Sequence, residues 1–224
     1  MLREIAPNIV VETEYHGANV ALVATGEGVI LIDTPMLPAQ ALHWRTVIQE
    51  RAGKEATYIL NTDHHRAHVV GNQFFPAAAV VAHELAWKEI KSYGDSFRTR
   101  LLNMYRDRMP EAVEFWQEHL EIVHPEITYT GRTVFLRGDK EIHLIPLGGH
   151  TPATTVVFFP QERLLFAGDL VVTNRPPFLS QGNTKEWLSA LTYLRKLDYD
   201  ILIPGHGELT GCLLYTTDAA DERG

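Results

Sequence analysis

The segment from Thr57 to Asn72 reads TYILNTDHHRAHVVGN and sets Asp63, His64, His65 and His68 within six residues of one another. Imidazole and carboxylate are donors that zinc and its first-row neighbours accept. A polar turn with solvated or capping histidines would use the same letters, so the cluster alone leaves both readings open. Three downstream positions repeat its grammar: His150 follows IHLIPL, Asp169 follows RLLF, and His206 follows ILI. An apolar run that halts at a ligand-capable side chain reads as a buried strand delivering that side chain to the carboxyl edge of a sheet.

With their flanks, Asn61-Thr62, Gly71-Asn72, Gly149-His150-Thr151-Pro152, Gly168-Asp169 and Pro204-Gly205-His206-Gly207, these four motifs resemble the metallo-β-lactamase superfamily over about residues 8 to 211. The resemblance implies an α+β fold, the four-layer αβ/βα sandwich of two mixed β-sheets flanked by helices. It also implies a centre of one or two divalent metal ions, zinc foremost, with manganese or iron as alternatives. The implied ligands are Asp63, His65, His68, His150, Asp169 and His206, with Asp169 bridging and catalysis falling on Asp169 and His68. One site would take Asp63, His65, His150 and Asp169, the other His68, Asp169 and His206.

The chain departs from the family's HxHxDH motif at two positions. Asp63 stands where the family has its first histidine, and Ala67 where it has aspartate. The first site therefore stays complete in number, with an added carboxylate that favours harder ions, while the second lacks one ligand. His64 alternates with Asp63 and His65 and is expected outside the ligand set. Arg66 borders the missing carboxylate and is either a solvated or aspartate-paired cation or a partner for an anionic substrate group. Asp63-His64-His65 also spells the DHH signature of a separate phosphoesterase family, but that family needs further aspartates upstream and only Asp33 precedes it.

A bound metal lowers the pKa of water from about 15.7 to about 7, and nothing in the chain resembles a nucleophile elbow. The expected function is a metal-dependent hydrolase using a metal-bound hydroxide on a small ester, lactone, thioester, β-lactam or phosphoester substrate. The competing expectation is a silent or weakly active homologue that binds a metal or small ligand.

Composition narrows the partners. The formal net charge of −8 and scattered Lys and Arg leave no basic stripe for nucleic acid. No apolar run approaches the length of a membrane span, and the amino terminus lacks a secretory h-region, so the expectation is a cytoplasmic chain acting on a small molecule. The single cysteine, Cys212, allows no intrachain disulfide. It opens a tail, CLLYTTDAADERG, that has no periodicity and resembles a translated sequencing adapter. The division expected is a domain over 1–211, with its carboxyl-terminal part truncated, and a non-native tail over 212–224.

The elements that must position the motifs are legible in outline. Ile9–Glu14, Asn19–Thr25 and Gly28–Asp33 are β-rich runs separated by Gly-containing turns, the grammar of a meander. It ends at Asp33, whose implied role is to buttress the ligand loop. Leu37–Ala52 has helical spacing, with Ala41, Leu42, Trp44, Val47 and Ile48 as its stripe and Gly53 as its stop. Residues 84–119 read as a helical insertion broken at Gly94 and Pro110, its aromatic residues either core or pocket lining. His83, just before it, reads as a packed or capping residue. Arg137-Gly138-Asp139 is the turn of a hairpin rather than a recognition tripeptide. Thr184–Lys196 reads as a helix with Thr184 as N-cap and Trp187, Leu188, Leu191 and Leu194 inward.

Overall fold

Strands that are apolar on both faces need a cover on each side, and the chain supplies it. The computed structural model describes residues 1–211; Cys212 to Gly224, the tail set apart in the sequence, lies outside the described residues. Seven strands form one mixed sheet: β1 (Leu2–Ala6), β2 (Ile9–Glu12), β3 (Val20–Thr25), β4 (Gly28–Ile32), β5 (Ala56–Leu60), β6 (Ala79–His83) and β7 (Ile127–Tyr129), in that spatial order. β1 to β4 run antiparallel and β4 to β7 parallel. Five more form a second sheet in the order β12, β11, β10, β9, β8, from β8 (Thr133–Arg137), β9 (Lys140–Pro146), β10 (Thr155–Phe159), β11 (Leu164–Val172) and β12 (Ile201–His206). There only the β11–β12 pair is parallel.

The two-residue period of a strand sorts its side chains between two layers. Ile9 and Val11, Ala21 and Val23, and Ile30 and Ile32 meet Val157, Phe159, Leu164, Phe166 and Ile203 in the layer between the sheets. Their alternates Val10, Val20, Leu22, Val29 and Leu31 face Ala41, Trp44, Val47 and Ile48 of helix α1 (Pro38–Ala52). On the other side, Val156, Phe158, Leu165 and Leu202 face Trp187, Ala190 and Leu194. The order helix, sheet, sheet, helix is the four-layer sandwich expected from the sequence.

Several local expectations shift. The meander gains β1, whose weak alternation gave no signal. Gly53 does end α1, in the left-handed conformation at φ 62°, but Leu42 lies on its solvent face. In the last helix, α6, at Thr184–Leu194, the cap is Asn183, whose side chain accepts from the amides of Lys185 (3.1 Å) and Glu186 (3.2 Å). Leu188 is 67% exposed, because the face that reaches the sheet is Trp187, Ala190 and Leu194, with Leu191 partly buried against it. The insertion comprises α3 (Glu84–Lys91), α4 (Asp95–Tyr105) and α5 (Pro110–His119), broken where Gly94 and Pro110 indicated. His83 caps α3 through Nδ1, which accepts from the Leu85 amide at 3.3 Å.

Candidate metal centre

β5 ends at Leu60, and the chain turns through Asn61–His65 into a single helical turn, α2 (Arg66–Val69). An asparagine pair holds that turn: Asn72 Nδ2 donates to Asn61 Oδ1 at 2.8 Å, Thr34 Oγ1 donates to Asn72 Oδ1 at 2.8 Å, and Asn61 Nδ2 donates to the His68 carbonyl at 3.0 Å. Gly71 is required beside them, since a Cβ there would lie 2.1 Å from the Pro35 carbonyl oxygen. Asp33, buried after β4, accepts from the Thr62 amide (2.9 Å), the Thr62 hydroxyl (2.6 Å) and His68 Nδ1 (2.8 Å). It thereby performs the buttressing expected of it.

Asp169 does not follow its strand but lies inside it. The β11–β12 register shifts on both sides of Gly168, and Gly168 takes φ 53°, so an irregularity re-aims the next side chain. Asp169 Oδ2 is 3.5 Å from His68 Nε2 and 3.3 Å from His150 Nε2, and Oδ1 is 3.3 Å from His206 Nε2. Gly205 permits this: a Cβ there would lie 2.0 Å from Asp169 Oδ1. The end of β12, from Pro204 to Gly207, is tied back to the first sheet by Asn19, whose Nδ2 donates to the carbonyls of Pro204 (2.9 Å) and Gly207 (2.8 Å).

Two groups of ligand atoms converge, Asp63 with His65 and His150, and His68 with Asp169 and His206; within each the atoms lie within 4.8 Å of one another. All six sequence-expected residues thus meet at one place. The second group fits a divalent ion on its own hydrogen bonding. His68 Nδ1 is engaged by Asp33 and His206 Nδ1 by the Gly17 carbonyl at 2.5 Å, which turns both Nε2 atoms toward Asp169. His68 Nε2 and Asp169 Oδ1 are buried without a hydrogen-bond partner among the described residues, a state that costs free energy unless something else meets them. Histidines anchored through one nitrogen and free at the other are the usual partners of a metal.

The first group is differently occupied. Asp63, 0% exposed, accepts at Oδ1 from the amides of His64 (2.6 Å) and His65 (3.2 Å), and at Oδ2 from the hydroxyls of Thr151 (2.9 Å) and Thr154 (2.8 Å). His65 Nδ1 is 3.1 Å from His150 Nε2, and its Nε2 meets Gln181 Oε1 at 2.8 Å. His64 belongs to neither group; it is buried, with Nε2 3.1 Å from the same Gln181 oxygen.

Charge follows from this packing. Burial alone would raise the Asp169 carboxyl, but His68 and His206 outweigh it and hold the group well below the usual carboxylate range. Burial alone would lower His68, yet Asp33 and Asp169 on either side raise it well above the usual imidazole range. His65 is pushed down to about 4, by burial first and by its neighbouring histidines, against the pull of Asp63. Burial likewise lowers His150.

The centre opens into a cavity of about 200 Å³ lined by His65, Arg66, Ala67, His150, Asp169, Val172, Arg175, Pro176, Phe178 and His206. Neither Arg66 nor Arg175 has a carboxylate partner among the described residues; Arg66 Nε lies 3.4 Å from the Tyr105 hydroxyl. Their field is felt at His16, whose pKa is lowered by burial first and then by Arg175 and Arg66. Among the insertion's aromatics, Phe97, Tyr105 and Trp116 are core, and the aromatic at the mouth is Phe178, edge-on to His65 with ring centroids 6.0 Å apart. Sequence reasoning missed Arg175, Phe178 and Gln181, which sit in an aperiodic connection after β11, and Asn19, which read only as a strand residue.

A profile of the metallo-beta-lactamase superfamily matches residues 14–206. The 2,4-dinitroanisole O-demethylase subunit alpha of Nocardioides sp. (strain JS1661) is 28% identical, over 80% of this chain and 49% of that protein, so the chain spans about half its length. The metallo-beta-lactamase type 2 of Elizabethkingia meningoseptica is 21% identical, over 92% of this chain and 78% of that one. The hydroxyacylglutathione hydrolase of Bartonella henselae is 36% identical over 43% of this chain and 37% of its own length. In fold, the chain superposes on a metallo-beta-lactamase from Pontibacter korlensis with a TM-score of 0.73 at 21% identity, covering 100% of this chain and 99% of that one. A metallo-beta-lactamase family protein from Thermus thermophilus gives a TM-score of 0.73 at 19% identity, over 98% and 80% of the two chains. No helix among the described residues is long and apolar enough to cross a membrane.

Proposed function

Because the chain belongs to the metallo-β-lactamase superfamily, we propose that it is a metal-dependent hydrolase of a small ester, lactone, thioester, β-lactam or phosphoester that carries an anionic group. The observation that carries the reading is the convergence of His68, Asp169 and His206, two of whose buried ligand atoms lack a hydrogen-bond partner among the described residues, on a cavity whose rim holds two arginines with no carboxylate partner among those residues. The relatives' names, a β-lactamase and a hydroxyacylglutathione hydrolase among them, support hydrolysis as the reaction class.

In this reading His68, Asp169 and His206 hold the ion, with Asp33 and the Gly17 carbonyl fixing the two imidazoles. Two histidines and a carboxylate suit zinc first, with iron or manganese as alternatives. The ion supplies a water of lowered pKa and polarises the scissile carbonyl or phosphoryl group. Asp169, kept ionised by its histidine neighbours, would supply the carboxylate ligand and a hydrogen-bond acceptor beside the ion. Arg66 and Arg175 clamp the substrate's anionic group, which guanidinium geometry favours, and Phe178 covers its apolar part. The Ala67 methyl leaves room between Arg66 and the centre that a carboxylate would fill with opposing charge.

The test is a panel of ester, thioester, lactone and phosphoester substrates, each in a carboxylate-bearing and a neutral form, offered to chelator-stripped and metal-reloaded protein. Turnover should appear only after reloading and favour the anionic member of each pair. Turnover of the neutral members alone would remove the anion clamp. Failure of the reloaded protein on the whole panel would favour a ligand-binding homologue.

A further inference from the structure

We infer that this chain holds a single metal ion, at His68, Asp169 and His206, and that Asp63 serves as a clasp between two loops instead of a metal ligand. The inference deepens the hydrolase reading and rests on it only in that an ion is taken up.

A carboxylate offers about four lone-pair positions, and Asp63 uses four. Oδ1 takes the amides of His64 and His65, and Oδ2 takes the hydroxyls of Thr151 and Thr154. Each hydroxyl is committed as well, because Thr154 Oγ1 accepts from the Thr151 amide (2.9 Å) and Thr151 Oγ1 from the Ala153 amide (3.2 Å). Asp63 therefore stitches the loop after β5, in the first sheet, to the loop between β9 and β10, in the second. A direct bond from Asp63 to an ion would strip one of these donors at a fully buried carboxylate, where an unmet donor costs its desolvation. Without Asp63 the first group retains only His65 and His150, and those two face each other across 3.1 Å.

The second group is the reverse case. Its imidazoles are each tied at Nδ1, its Nε2 atoms and carboxylate face inward, and His68 Nε2 and Asp169 Oδ1 lack a hydrogen-bond partner among the described residues. Three protein donors with an open position form a complete catalytic site for one ion. The aspartate substitution at 63 and the loss of a carboxylate at 67 thus act together: the first closes one site, and the second leaves the other with three ligands. His65 and His150 remain as imidazoles on the cavity wall, available to substrate.

The experiment is metal content by elemental analysis after equilibration with excess zinc, or separately manganese, and desalting. The expected result is one ion per chain in the wild type, one in His65→Ala, and none in His206→Ala or Asp169→Asn. Asp63→Ala should lower the melting temperature, and the fraction that folds should still carry one ion; His65→Ala decides the matter if Asp63→Ala does not fold. Two ions in the wild type, loss of the ion in His65→Ala, its retention in His206→Ala, or no ion in the wild type would each overturn the inference. Two ions with hydrolysis would leave the hydrolase reading standing, and one ion without hydrolysis would sink that reading while sparing this one.

Discussion

Replacing Asp33 by asparagine changes one atom and should loosen the centre from behind. Asp33 is buried and accepts four hydrogen bonds, two at Oδ2 from the Thr62 hydroxyl and His68 Nδ1, and two at Oδ1 from the Thr62 amide and, at 3.5 Å, Asn61 Nδ2. Asparagine keeps one acceptor oxygen. If it takes the Oδ2 place, its NH2 faces the Thr62 amide, donor against donor; if it takes the Oδ1 place, His68 loses its acceptor. A buried donor left unpaired costs about 1–3 kcal/mol, and the lost charge weakens the bonds that remain. The sum is about 2–4 kcal/mol, a fall in Tm on the order of 10 °C for a chain of this size. His68 would also lose the anchor that aims Nε2 at Asp169, and such losses weaken metal binding by roughly 10- to 100-fold. Competition against a chromophoric chelator reads the affinity, and thermal melting with and without metal separates it from stability. A Tm drop with the metal Kd unchanged within about twofold would show that Asp33 supports the loop without orienting His68, refuting the reasoning.

Four further expectations follow from particular atoms. Gly205→Ala places a methyl 2.0 Å from Asp169 Oδ1 and should cost about 3 kcal/mol or more and abolish metal retention, read by melting and elemental analysis. Arg66→Ala and Arg175→Ala should each lower kcat/KM on an anionic substrate by roughly 10- to 100-fold, the worth of a charge-assisted hydrogen bond, and leave its neutral analogue unchanged. Metal uptake must displace the proton that Asp33 and Asp169 hold on His68, so affinity should fall about tenfold per pH unit below that raised pKa, and calorimetry in two buffers should register one released proton. The same raised pKa stabilises the stripped protein at low and neutral pH, a contribution lost as pH rises through the folded-state value, so the melting temperature of the stripped protein should fall on the alkaline side.

The six converging side chains were legible through the resemblance of their four motifs to one family, with apolar runs placing His150, Asp169 and His206 beside strands and the first motif in the turn after β5. The sandwich came with the same resemblance, and the structure accounts for it: Ile9, Val11, Ala21, Val23, Ile30 and Ile32 fill one layer and their alternates another. What spacing could not convey was which hydrogen bonds each ligand already spends. Asp63 looks like a ligand in one dimension; only the loop from β9 to β10 brings Thr151 and Thr154 to its second oxygen. Arg175, Phe178 and Gln181 reach the cavity through an irregular connection, where no period links position to direction. Leu188 failed for a smaller reason, since Trp187, Ala190, Leu191 and Leu194 of α6 face the sheet and Leu188 falls on the opposite side.

The most direct measurement is a titration of stripped protein with zinc or manganese while the rate on a carboxylate-bearing ester or thioester from the panel is followed. The rate should be absent without metal, rise linearly and saturate at one equivalent per chain, with Asp169→Asn flat throughout. A rate independent of metal, or equal in Asp169→Asn, would contradict the assignment of the centre, and saturation at two equivalents would contradict its single ion.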